Sequence, residues 1–139
     1  MKILIICTGN TCRSQMAEGF LKYIGPELEV SSAGTQAEGK VNPYAIKAMA
    51  ELGIDISRQR SESITKYLDK AFDYVITVCD GAKESCPVFL GDVKHRIHIG
   101  FDDPAAAKGS EKEVMPIYRR VRDEIKSAFT KFYQKIQQS

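Results

Sequence analysis

The chain has 139 residues, of which 43% are hydrophobic and 27% charged, and its formal net charge is +2. This composition predicts a single globular domain over residues 1–139, large enough to bury one core without a metal or disulfide staple. The small net charge argues against nucleic-acid binding by charge alone, and the apolar run at residues 3–6 is too short for a membrane span or a signal peptide. We therefore expect a cytoplasmic monomer with neither a nucleic acid nor a membrane as partner.

The predicted elements alternate between strands and helices. Short apolar or β-branched runs predict strands at residues 2–6, 28–32, 74–78 and 96–99, and apolar residues at steps of three and four predict helices at 14–24, 42–53 and 114–136. Asn42 followed by Pro43 is a good helix start. The start of the last helix is ambiguous, because Ser110 and Glu113 resemble a capping box that would place Pro116 inside the helix.

This alternation predicts a small α/β domain with a parallel sheet. Cys7, Cys79 and the loop at 100–104 each follow a predicted strand. Because ligands of such folds bind beyond the carboxyl ends of the strands, these three segments should meet at one edge of the sheet.

The four cysteines are too few for the framework of a secreted disulfide-rich protein. They form no CxxC pair, and the two histidines complete no ligand pattern with them, so we expect no metal and no other cofactor. His95 and His98 are expected to be packing or surface residues.

The stretch CTGNTCRS at residues 7–14 follows the first strand directly. A strand-to-helix turn of this kind aims backbone N–H groups into one concavity, and the helix adds its positive end. Arg13 adds a planar guanidinium that can bind two oxygens of a tetrahedral anion. The turn therefore predicts an oxyanion-binding loop formed by Thr8, Gly9, Asn10, Thr11, Cys12, Arg13 and Ser14.

Cys7 lies at the base of this loop and is the predicted nucleophile. The helix end and the nearby cation are expected to lower its pKa, with Ser14 donating a hydrogen bond to the thiolate and Asn10 bracing the loop. Cys12 is assigned a structural role within the loop.

The motifs taken together resemble the low-molecular-weight protein tyrosine phosphatase fold family, and most closely its thioredoxin-coupled arsenate reductase branch. The resemblance rests on CTGNTCRS with QMAEG after it, SSAG at 31–34, NPYAIKAM at 42–49, IDIS at 54–57, VCDGAKESCP at 78–87, GFDDPA at 100–105 and RVRDEI at 120–125. It implies a three-layer sandwich in which helices flank a four-stranded parallel sheet. It also implies Asp103, before Pro104, as the general acid, with the neighbouring Asp102 as the fallback.

The same resemblance implies a three-cysteine relay that reduces arsenate to arsenite. Cys7 would attack arsenic, Cys79 would then attack Cys7, and Cys86 would take over the disulfide with Cys79. Thioredoxin would reduce that disulfide, and phosphate or sulfate would mimic the substrate.

Two other functions remain open. A tyrosine phosphatase would hydrolyse phosphomonoesters through a Cys7 phosphoenzyme, and weak hydrolysis is expected even of a reductase. Gln15, where such phosphatases usually carry proline, and the absence of paired tyrosines after Asp103 count against it. A non-enzymatic oxyanion or redox sensor would not need the acid loop. The resemblance also leaves open weak binding of potassium near Asn10, Glu18 and Ser32, as in some family members, although Glu62 stands where aspartate is expected.

Overall fold

The computed structural model describes residues 1–85 and 89–138, so the predicted site residue Cys86 lies outside the described residues. The strands are Lys2–Cys7 (β1), Glu29–Gly34 (β2), Phe72–Thr77 (β3) and Val93–His98 (β4). The helices are Arg13–Ile24 (α1), Pro43–Ala50 (α2), Asp80–Ser85 (α3) and Glu111–Gln137 (α4), with short 3-10 turns at Ile64–Tyr67 and Pro104–Ala106.

The strands form one sheet in the order β2-β1-β3-β4, and every neighbouring pair is parallel. β1 is a central strand, and its residues 3–6 are fully buried. Such continuous burial explains why this strand is an uninterrupted apolar run rather than an alternating one. The predicted four-stranded parallel α/β fold is confirmed.

Helix α4 closes much of the core. It packs against α1 and α2, while α1 also packs against β1 and β2. Phe129 of α4 is fully buried, and Phe132 meets Tyr74 of β3 edge to face with 5.1 Å between ring centroids. The apolar stripe predicted for the last helix is therefore the surface that joins it to the rest of the molecule.

Local capping agrees with the sequence at two helix starts. The Asn42 side-chain oxygen accepts hydrogen bonds from two N–H groups in the first turn of α2. At α4, the Ser110 N–H and hydroxyl both donate to Glu113 Oε1, at 3.3 and 3.0 Å. The capping box therefore sets the start of α4, and Pro116 is accommodated within the helix.

Several predicted boundaries are wrong by a few residues. β3 and β4 begin earlier than predicted because they pair with each other from Phe72 and Val93 onwards. α2 ends at Ala50 rather than at Gly53, where φ is +78° and the chain turns out of the helix. The starts of these strands are decided by their pairing partners, and the end of α2 by a left-handed turn. The spacing of apolar residues in the sequence predicts neither.

The carboxyl ends of the strands bring the three predicted segments together. The Phe101 N–H donates to the Val78 carbonyl at 3.2 Å, which attaches the 100–104 loop beside Cys79. Cys7 ends the adjacent β1. Within the described residues, no helix is both long and apolar enough to cross a membrane.

Candidate active site

The turn between β1 and α1, residues 8–12, wraps around a cavity of about 420 Å³. Asn10 adopts a left-handed conformation with φ of 53°, which asparagine tolerates better than most residues. Gly34 of β2 packs directly against the turn, because a Cβ there would lie 2.6 Å from the Thr8 carbonyl oxygen. The glycine of the SSAG motif is thus required for this close approach.

Most carbonyl groups of the turn are held by the chain segment that follows β2. The N–H groups of residues 35, 36, 38 and 42 donate to the carbonyls of residues 7, 8, 9 and 11 at 2.8–3.1 Å. In a trans peptide the C=O and N–H point in opposite directions, so anchoring the carbonyls outward turns the following N–H groups toward the cavity. The N–H groups of residues 9–12 have no protein acceptor within the described part of the chain. The turn is therefore a cradle of donors for an anion.

The Asn10 side chain braces this cradle, as the sequence predicted. Its amide nitrogen donates to Ser14 Oγ at 2.8 Å and Ser32 Oγ at 3.0 Å, and its oxygen accepts from the Glu62 N–H at 2.9 Å. Ser14 was expected to donate to Cys7. The contact that the structure gives its hydroxyl is instead this bond from Asn10, because Ser14 lies on α1 facing the asparagine.

A lysine reaches the area where a potassium site was conceivable. The Lys22 ammonium donates to Glu18 Oε2 at 2.5 Å, and Ser32 donates to the other oxygen of Glu18 at 2.5 Å. Among the described residues, no group of three or more His, Cys, Asp or Glu side chains is placed to hold a metal ion.

Arg13 opens α1 and turns its guanidinium toward the loop after β4. Nη1 donates to the Phe101 carbonyl at 3.0 Å, and Nη2 lies 3.6 Å from Asp103 Oδ2. Its side chain is only 14% exposed. One bond to a backbone carbonyl thus positions a fork that can also bind a tetrahedral anion.

Asp103 and Asp102 point to different places. Asp103 lines the cradle cavity, and its Oδ1 accepts from the Ala105 N–H at 3.0 Å, which fixes the carboxyl above the loop. Asp102 instead pairs with Arg120 of α4 at 3.2 Å and is 76% exposed. Of the two carboxylates, Asp103 is thus the one that lines the cradle, and Asp102 has another partner.

Cys7 and Cys79 lie at the base of the site, and hydrogen bonding between their thiols is the largest influence on the pKa of each. Both thiols are buried, and neither is in a disulfide. The bond from Cys7 is the largest effect that lowers the pKa of Cys79, to about 5. Thr8 Oγ1 at 3.3 Å, the Ala82 N–H at 3.4 Å and the charge of Arg13 contribute to this lowering, while burial opposes it.

The same hydrogen bond and burial raise the pKa of Cys7, although Arg13 opposes them. The predicted lowering of the Cys7 pKa is thus wrong for this arrangement. Of the two thiols, Cys79 is therefore the one that ionises more readily, because the Thr8 hydroxyl and the Ala82 N–H face its sulfur.

Cys79 faces a second cavity of about 510 Å³, which shares Thr8 and Arg13 with the first. Cys7 lines the first cavity only. The two thiols therefore face different openings: Cys7 faces the anion cradle, and Cys79 faces a cavity bordered by α3 and α4.

A cysteine under an N–H cradle, an arginine and an aspartate before proline together have the geometry of a phosphate-transfer site. A family model described as low molecular weight phosphotyrosine protein phosphatase matches residues 2–139. The chain belongs to this family.

Relatives in the phosphatase family include proteins named arsenate reductase. One from Halalkalibacterium halodurans is 53% identical over 124 residues, which are 88% of each chain. One from Bacillus subtilis is 50% identical over 131 residues, which are 94% of this chain and 93% of the relative.

Solved structures show the same fold. An arsenate reductase in the phosphate-binding state matches with a TM-score of 0.82 and 33% identity, covering 97% of this chain and 98% of that chain. The arginine phosphatase YwlE, with a phosphorylated active-site serine, matches with a TM-score of 0.79 and 26% identity, covering 99% and 96%. Both reductases and phosphatases of the family thus share this framework.

Other residues of the phosphatase-family site were not foreseen. Gln36 and Glu38 line the cradle cavity, and Glu38 lies so close to Gly9 that a Cβ on the glycine would be 2.5 Å from Glu38 Oε2. They belong to a polar loop without periodicity, so nothing in the sequence marked them. Cys12 is buried in the cradle, as its structural assignment requires.

Replacing Thr8 with valine is expected to raise the pKa of Cys79 by about one unit. The thiolate loses the hydrogen bond from one hydroxyl, and the free energy of such a bond is similar to that of one pKa unit. The pH dependence of iodoacetamide alkylation at Cys79, followed by peptide mass spectrometry, measures this. The wild-type midpoint should lie at about 5. A midpoint that Thr8→Val leaves unchanged, while the exposed Thr65→Val also has no effect, would contradict the role of this hydroxyl.

Proposed function

We propose that this chain reduces arsenate to arsenite with Cys7, Cys79 and Cys86, and that thioredoxin returns the enzyme to its reduced state. The observation that carries the proposal is that Cys7 lines an oxyanion cradle while a second buried thiol, Cys79, interacts with it from the adjacent cavity. Hydrolysis of a phosphate ester requires one thiol, whereas reduction requires two. The names of the close relatives agree with this choice.

Arsenate binds in the cradle through the N–H groups of residues 9–12 and the Arg13 guanidinium. The Cys7 sulfur then forms a bond to arsenic while an arsenic–oxygen bond breaks. For the arsenate dianion, the departing oxygen leaves as water with one proton from Asp103 and the proton of the Cys7 thiol. Cys79 stays a thiolate throughout this step.

The Cys79 thiolate next attacks the Cys7 sulfur. The sulfur–sulfur bond forms as the sulfur–arsenic bond breaks, and the electron pair of the broken bond remains on arsenic. Arsenic(V) is thereby reduced to arsenic(III) and leaves as arsenite, while the two cysteines are oxidised to a disulfide. The low pKa of Cys79 keeps this nucleophile ready at neutral pH.

Cys86 completes the relay by attacking Cys79, which releases Cys7 as a thiolate and leaves a Cys79–Cys86 disulfide. A dithiol such as thioredoxin reduces it by exchange. Free thiols at Cys7, Cys12 and Cys79 fit the reducing conditions of the cytoplasm, and we infer that the enzyme acts there as a monomer.

Asp103→Asn is expected to lower kcat for arsenate about 100-fold or more, because the departing oxygen loses its proton donor. Asp102→Asn is the matched control, since that carboxylate pairs with Arg120 and lies away from the cradle. Its kcat should stay within about twofold of wild type. Steady-state rates of both variants decide the matter, and equal losses would contradict the assignment of Asp103.

Phosphatase activity is the second candidate, because the cradle, Arg13 and Asp103 would also serve a Cys7 phosphoenzyme. Arsenic speciation after incubation with arsenate, thioredoxin, thioredoxin reductase and NADPH distinguishes the two. Repeated formation of arsenite with only slow p-nitrophenyl phosphate hydrolysis supports the reductase. Fast hydrolysis without arsenite would show a phosphatase, and anion binding without either reaction would show a sensor.

A further inference from the structure

We propose that Gln15 is a positioning residue for the oxyanion that directs one donor of the cradle, the Thr11 N–H, because its side chain holds the Asn10 carbonyl, which has no backbone donor among the described residues. The inference rests on the proposed function only in assuming that an oxyanion binds in this cradle. Gln15 is fully buried in the first turn of α1, and none of the chemical steps above uses it.

The Gln15 amide has partners that fix its orientation. Its nitrogen donates to the Asn10 carbonyl and to the Arg60 carbonyl, each at 2.9 Å, and its oxygen accepts from Gln59 at 2.9 Å. Because two backbone carbonyls can only accept, the NH₂ group must face them. The amide therefore joins the cradle to the loop that precedes Glu62.

The Asn10 carbonyl differs from the other anchored carbonyls of the cradle. Those of residues 7, 8, 9 and 11 accept from backbone N–H groups, and that of Cys12 accepts from the Met16 N–H within α1. Among the described residues, the Asn10 carbonyl is anchored by the Gln15 side chain. The peptide between Asn10 and Thr11 also follows a residue with positive φ. Because non-glycine residues seldom adopt this conformation, the backbone by itself does little to hold the peptide in this orientation.

The planarity of this peptide carries the effect to the anion. With the Asn10 carbonyl held outward, the Thr11 N–H must point the opposite way, into the cavity that Cys7 and Arg13 line. Without the Gln15 amide, the buried carbonyl loses its donor, and rotation of the peptide would turn the Thr11 N–H away from the anion.

Gln15→Leu removes the amide at similar volume and tests the proposal through anion binding. The dissociation constant of inorganic phosphate, measured by titration calorimetry, should rise about tenfold or more, as expected for a lost hydrogen bond to a charged group. KM for arsenate should rise with it. Gln59→Leu is the control, because Gln15 keeps both carbonyl partners there, and its phosphate affinity should change less than about twofold.

An unchanged phosphate affinity in folded Gln15→Leu would overturn the proposal, as would an equal loss in Gln59→Leu. Should Gln15→Leu not fold, Gln15→Met replaces it in the phosphate titration. The ¹⁵N spectrum of the wild type tests the Thr11 donor separately. Phosphate should shift the Thr11 amide resonance, and a Thr11 resonance that does not move would refute the role of this donor. Phosphate binding does not depend on reduction, so failure of the reductase proposal would be seen separately.

Discussion

Cys7→Ser is expected to abolish arsenate reduction, with a loss of about 10⁴-fold or more, as is typical when a covalent nucleophile is removed. The hydroxyl of serine is far less ionised than a thiol. It also cannot be oxidised to a disulfide, so no electron pair would reach arsenic even if an ester formed. Arsenite measured after a single turnover and at steady state should be absent.

Phosphate binding shows whether the Cys7→Ser protein is intact. The cradle N–H groups and Arg13 do not depend on the sulfur, so phosphate should still raise the melting temperature. Residual arsenite formation by a variant that binds phosphate normally would contradict the assignment of Cys7 as the nucleophile.

Cys79→Ser is expected to separate reduction from hydrolysis. Arsenite release should be lost because no thiolate remains to attack Cys7, and the loss should again be about 10⁴-fold or more. Hydrolysis of p-nitrophenyl phosphate should be retained or increased, since the hydrogen bond with Cys79 is the largest effect that raises the pKa of Cys7. The same substitution would then abolish arsenate reduction and preserve or increase the hydrolysis of the phosphate ester.

The matched control for Cys79→Ser is Cys86→Ser. Cys7 and Cys79 suffice for one reduction, so rapid quench of Cys86→Ser should give about one arsenite per enzyme, whereas Cys79→Ser should give none. Arsenite release by Cys79→Ser, or a parallel loss of hydrolysis, would show that Cys79 acts through the fold rather than as the second thiol.

The framework of the site was predictable because it depends on local patterns. An uninterrupted apolar strand before CTGNTCRS indicated a buried parallel strand followed by an anion-binding turn, and the cap at Asn42 marked the start of α2. Asp103 could be assigned together with Asp102 as an alternative. Long-range contacts separate the two, because Asp103 lies beside Arg13 in the cradle whereas Asp102 pairs with Arg120 of α4, 18 residues further along the chain.

What sequence could not predict depends on long-range contacts. The low pKa of Cys79 depends in part on Thr8 Oγ1, which is 71 residues from Cys79 in the chain. The role of Gln15 depends on which carbonyls of the cradle lack a backbone donor, and that follows from the path of residues 35–42. No periodicity or motif spacing contains this information.

The central claim is the relay of three cysteines, and arsenate-dependent NADPH oxidation with thioredoxin and thioredoxin reductase tests it most directly. Wild type and Cys86→Ser should be measured side by side. The account predicts continuous oxidation by the wild type and a halt after about one turnover in Cys86→Ser. Continuous turnover by Cys86→Ser with thioredoxin would contradict the relay.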